Sequence, residues 1–152
     1  MSRITDIYLV DTLEQNALIK RVKTPTEKIP EMLSQGFTEL SEYIKNNKVS
    51  LVDTPFLQII DGDAEMVEII IGMAVAEKIQ PHGDLESFTI PAGKKIFAYW
   101  LGDNSQMMSL YEEMITFVQN LGYKPQDNFF EYYLNGKEYG QENLLTKVVM
   151  AL

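Results

Sequence analysis

The chain has 152 residues, of which 45% are hydrophobic and 23% charged, and a formal net charge of −9. Its length suits a single domain, 1–152, with a sizeable core. The absence of cysteine excludes disulfides, thiolate metal sites and a cysteine nucleophile. The acidity argues against direct contact with nucleic acid, whose phosphates need a positive surface. No apolar stretch reaches the length of a membrane span, so no membrane partner is expected. The opening MSRITDIYLVDTLEQN has no basic segment followed by an apolar run, which leaves the cytoplasm as the expected location.

The pattern opens with two strands, 4–13 and 17–23, read as a pair, with residues 1–16 offering an extra edge strand. A helix follows over 28–47, where Leu33, Phe37, Leu40 and Ile44 recur at helical spacing. Pro30 falls in its first turn, where proline is tolerated. Strands 56–61 and 66–75 flank Asp61-Gly62-Asp63, a hairpin signal. Strand 85–90 stops at Pro91-Ala92-Gly93, and strand 95–101 is strongly β-forming. A second helix is predicted over 104–121, with Met107, Tyr111, Met114 and Val118 inward, Asp103 or Asn104 at its start and Gly122 at its stop. Strands 129–134 and 144–151 close the chain through Asn135-Gly136.

This order repeats. A shift of 74 places Leu33, Phe37, Leu40 and Ile44 on Met107, Tyr111, Met114 and Val118. A shift of 73 places PFLQIID (55–61) on NFFEYYL (128–134). Two pseudo-repeats, about 17–75 and 94–152, imply an α+β fold with a mainly antiparallel sheet and both helices on one face. A groove between two similar halves is a natural ligand site.

The segments EMVEIIIGMAV (65–75), FTIPAGKKIFAYWLGD (88–103) and FFEYYLNG (129–136), followed by LLTKVVMAL, resemble the GyrI-like domain. That domain also serves as the effector-binding part of some AraC-type and MerR-type transcription regulators. The resemblance covers residue 17 to the end. It implies tandem strand–helix–strand–strand units, a pocket between the halves, and binding of bulky lipophilic cations by a late-strand glutamate and aromatic rings. The glutamate of the family's E-x-Y pattern matches Glu131 and the tyrosine matches Tyr133. The chain has no room for the helix-turn-helix of the regulators, so the resemblance implies a stand-alone bacterial domain for sensing or sequestering ligand. It departs from the family at Gly102-Asp103-Asn104, where a Gly-Pro-Tyr-like step is common.

Alternation puts Phe129, Glu131 and Tyr133 on one face of their strand. Phe130, Tyr132 and Leu134 take the other, which suits packing beneath the helices. A carboxylate between two rings is costly unless paired; a bound cation would pair it, and aromatic faces attract the same cation. The repeat makes Gln58 the counterpart of Glu131, so Phe56, Gln58 and Ile60 are expected on the opposite wall. Trp100 is either a pocket wall or core. Tyr111 is expected in the core, where its hydroxyl would need a partner. His82, in QPHGD, reads as an exposed loop residue, and neither cofactor nor metal is expected.

Two other functions fit the same residues. One is hydrolysis of a small electrophile, with Glu131 as general base and Tyr133, Trp100 or Tyr99 orienting the substrate. The other is a protein-binding module, because some relatives act on a protein target such as DNA gyrase.

Overall fold

The computed structural model describes residues 2–63, 65–81, 83–126 and 128–152; the sequence reading of His82 therefore lies outside the described residues. Among the described residues nine strands and two α-helices form an α+β fold whose strand pairs are antiparallel. The strands are β1 (Ser2–Arg3), β2 (Tyr8–Thr12), β3 (Gln15–Pro25), β4 (Phe56–Gly62), β5 (Met66–Val75), β6 (Leu85–Ile90), β7 (Gly93–Leu101), β8 (Phe129–Tyr133) and β9 (Leu145–Ala151). The helices are α1 (Ile29–Asn46) and α2 (Met108–Asn120). The chain divides into two compact units, one of Leu13–Ala92 and one of Met1–Thr12 with Gly93–Leu152.

In the unit Leu13–Ala92 the strands run in the order β4-β5-β3-β6. β5 is buried almost from end to end, the pattern of a strand covered on both faces. α1 packs through Gly36, Leu40 and Ile44. Its close approach depends on Gly36, because a Cβ there would stand 2.7 Å from Ile71 Cδ1. Gly72 of β5 does the same within the sheet. A Cβ there would lie 2.5 Å from Phe56 Cζ and 2.8 Å from Ile19 Cγ2. Gly72→Ala is therefore expected to destabilise by about 1–3 kcal/mol, the range for overpacking a filled core. Thermal denaturation would show it, and Phe56→Leu should recover part of the loss in the double variant.

In the other unit β8-β9-β7 are neighbours, and β1 and β2 both add to β7. α2 buries Leu110, Met114 and Val118. These stand 74 positions after Gly36, Leu40 and Ile44, the same shift that relates the two apolar stripes in the sequence. Asp103 accepts a hydrogen bond from the Ser105 amide at 2.9 Å and caps a short 3-10 turn, Asn104–Gln106. The α-helix proper therefore starts four residues later than the sequence pattern suggests. Gly122, at φ +89°, ends it.

The opening segment corrects the sequence reading. β2 pairs with β7, Tyr8 opposite Phe97, and not with β3. The link Leu13-Glu14 has neither glycine nor asparagine, so it lacks the turn chemistry of a tight hairpin. β3 pairs instead with β5 and β6. In the same way β6 precedes β7 in sequence yet pairs with β3. The two units thus share one strand pattern, β4-β5-β3-β6 against β8-β9-β7-β2. In the second, the outer strand comes from the start of the chain.

Two turns also differ. β4 continues through Gly62, and the reversal falls at 63–66, where Asp63 Oδ1 accepts from the amides of Glu65 and Met66 at 2.8 and 2.9 Å. These bonds hold the Asp63 carboxyl below its ordinary value. A β-bulge between Ile59 and Asp61 leaves Ile60 as the extra residue. Asn135-Gly136 is not a two-residue turn either. Gly136 is extended, and two 3-10 turns, Lys137–Tyr139 and Gln141–Asn143, intervene. Asn135 instead clasps the loop, donating to the Asn143 carbonyl and accepting from the Leu145 amide, both at 2.8 Å.

Candidate functional site

β8 is a short aromatic strand, FFEYY, whose burial alternates: Phe130 and Tyr132 are buried while Phe129, Glu131 and Tyr133 are half-buried. Phe129, Glu131 and Tyr133 stand opposite Met150, Val148 and Thr146 of β9. Those residues in turn face Ile96, Ala98 and Trp100 of β7. Paired residues of an antiparallel sheet share a face, so all nine look the same way. That face is covered by α2, because Ile96, Ala98, Trp100, Val148 and Met150 form one core with Met107, Leu110, Met114 and Val118. Phe129 and Tyr111 pack against it. The expectation that Phe130, Tyr132 and Leu134 lie under the helices is thus reversed for α2. It covers the Glu131 face, because the inward stripe of α2 matches the apolar residues of β7 and β9 on that side.

Glu131 is held by two phenols. Tyr111 Oη of α2 donates to its Oε2, and Tyr133 Oη donates to its Oε1 at 3.0 Å. The Tyr111 ring lies 4.6 Å from that of Phe129, centroid to centroid. Among the described residues no lysine or arginine pairs with Glu131. Burial pushes its carboxyl above the ordinary range, and the two phenol hydrogen bonds pull partly the other way. Burial and the neighbouring carboxylate push both phenols up, so they stay protonated donors. The arrangement is a carboxyl among rings, satisfied by neutral donors and, among the described residues, lacking a positive counter-charge.

The other predicted site residues can each be placed within their own unit. Trp100 is only 3% exposed in the α2 core, and its indole N–H donates to the Asp103 carbonyl at 3.2 Å. Phe56 is fully buried in the unit Leu13–Ala92, against Gly72. In that same unit Gln58 is half-buried opposite Ile70, and Ile60 is exposed at the bulge. Within its own unit Glu131 is brought together with Tyr133 and Phe129, and joined by Tyr111, which the sequence reading assigned to core. The available signal was the phenol itself, since a hydroxyl on the inward stripe of a helix must find an acceptor.

The Tyr111 hydrogen bond can be tested. Tyr111→Phe keeps the ring against Phe129 and removes the donor. Hydrogen bonds to charged groups contribute about 1.5–3 kcal/mol. The Glu131 carboxyl should then titrate higher still, because a bond that favours its ionised form is gone, measurable by following its carboxyl carbon resonance by NMR.

A family model described as a GyrI-like small molecule binding domain matches residues 5–152. No protein with a curated description matches the chain significantly. Among solved structures, EcmrR in complex with DNA superposes with a TM-score of 0.79 at 14% identity, covering 96% of this chain and 56% of EcmrR. This chain thus spans little more than half of EcmrR. The isolated EcmrR C-terminal domain gives 0.76 at 18% identity, with 97% of each chain covered. A hydrolase from Listeria innocua gives 0.68 at 14% identity, covering 99% and 93%. SAV2435 bound to tetraphenylphosphonium gives 0.61 at 11% identity, covering 97% and 93%. At these identities the likeness is one of fold.

Proposed function

We propose, starting from the fact that the chain belongs to the GyrI-like family of small-molecule-binding domains, that it senses or sequesters hydrophobic cations through Glu131. One observation carries this reading: a half-buried carboxylate among aromatic rings, held by two neutral phenols and by no basic residue among those described. A carboxylate in that setting is under-compensated. A lipophilic cation supplies the missing charge, and the rings of Phe129, Tyr111 and Tyr133 offer faces for its apolar bulk at about 0.5–2 kcal/mol each. That SAV2435 binds tetraphenylphosphonium on the same fold agrees with this choice of ligand.

The raised carboxyl gives the test its sign. The cation attracts the ionised form, so binding expels a proton wherever Glu131 is still protonated. Affinity for tetraphenylphosphonium should increase as pH rises from the ordinary carboxyl range through the raised value, then level off. Calorimetric titration at several pH values measures it. A complete lack of saturable binding across the range would sink the proposal.

The same carboxyl favours a second reading, hydrolysis of a small electrophile. A carboxyl with raised pKa, steadied by two hydrogen-bond donors, suits general-base chemistry, and one structural neighbour is a hydrolase. Release of product from an epoxide or similar strained compound, lost in Glu131→Gln, would select this reading.

A further inference from the structure

We propose that Lys95 is a covalent capture site for small aromatic aldehydes, which its amine would bind as a Schiff base. Lys95 lies on β7 opposite Val10 of β2 and Ala151 of β9, so its stem rests on apolar neighbours. It is only 8% exposed, yet it takes part in no ion pair, and no hydrogen bond from its amine is present among the described residues. The one sealed polar side-chain atom without a partner among those residues is Thr54 Oγ1. The Lys95 amine therefore reaches solvent while its stem is covered. The adjacent lysine provides the contrast. Lys94 points to the other face and pairs with Asp11 at 3.2 Å.

By register, the strand positions sharing the Lys95 face in β2, β7, β8 and β9 include no acidic residue. In a chain with 22 acidic residues this leaves the amine without a carboxylate to hold its proton. Burial alone pushes it below its ordinary value, which enriches the neutral, nucleophilic form. The next pair along that face, Phe97 and Tyr8, sets two rings 5.2 Å apart. Lys147 Nζ stands over the Phe97 ring at 5.9 Å, so a flat aromatic substituent would pack on Tyr8, which is 43% exposed.

The step balances without a further reactant. The neutral Nζ attacks the carbonyl carbon, the C–N bond forms, and the C=O π pair moves to oxygen. One N–H proton passes to that oxygen, giving a carbinolamine. Loss of the hydroxyl with the second N–H proton releases water and leaves the imine.

The test uses the whole chain. Salicylaldehyde at neutral pH, trapped with borohydride and mapped by peptide mass spectrometry, should label Lys95 about tenfold faster than Lys94, with saturation in aldehyde. Lys95→Arg should remove that label and leave the others. Equal labelling of Lys94 and Lys95, or labelling at Lys95 that rises linearly without saturation, would overturn the proposal. Both readouts come from the wild-type map, so they decide the matter even where the arginine variant fails to fold.

Discussion

Glu131→Gln is expected to weaken tetraphenylphosphonium binding tenfold or more, about 1.4 kcal/mol or more, while leaving the protein folded. Glutamine keeps the shape and one acceptor oxygen but carries no charge. If the rings alone carried the affinity, the variant would bind almost as well as wild type. The variant should also change how stability depends on pH. In the ligand-free protein the folded carboxyl titrates above its unfolded value. The folded state therefore holds the proton more tightly, and stability falls as pH rises from the ordinary carboxyl range to the raised value. Below that window Glu131 is neutral in both states and costs nothing. Chemical denaturation across the window should show this decline in wild type and its absence in Glu131→Gln. A wild type whose stability is flat there, or a variant that keeps full affinity, would remove Glu131 from the centre of the site.

The largest loss of stability is expected from Phe56→Ala, about 3–5 kcal/mol, the range for deleting a buried aromatic side chain. Phe56 is fully buried and fills the space that Gly72 leaves open. Its truncation would leave a cavity against a strand buried on both faces. Ile60→Ala, two turns of the pleat away at an exposed bulge position, should change stability by no more than about 0.5 kcal/mol. Urea denaturation of both variants makes the comparison. Near-equal effects would mean that Phe56 is not the anchor of its core.

These two positions show what the sequence made legible. Alternation along β8 identified the Glu131 face correctly, because period 2 fixes which side chains travel together. The helical stripes were equally clear, down to the shift of 74 between their buried residues. Which face a helix covers was not legible, since it depends on partners distant in sequence. Phe130 and Tyr132 looked as suitable for covering as Phe129. The counterpart rule carried alternation through β4 from Phe56 to Ile60. A one-residue bulge breaks that alternation, and nothing in PFLQIID marks it. Tyr111 was missed because its spacing is that of a core residue, and only its hydroxyl told otherwise. The pairing of β2 was missed for a related reason. Strands close in sequence usually pair, and here the missing turn residues were the only contrary sign.

That last pairing has a consequence in time. Tyr8 stands opposite Phe97, 89 positions further along (97 − 8). A ribosome adding about 5–20 residues per second needs roughly 4–18 s to make that stretch. For a delay of that length β2, with Tyr8, Leu9 and Val10, has no β7 to receive it. Every strand and helix of Leu13–Ala92 has meanwhile been synthesised. The nascent chain therefore carries an apolar strand awaiting its mate, and this is the interval in which a chaperone, or a neighbouring nascent chain, would compete for it.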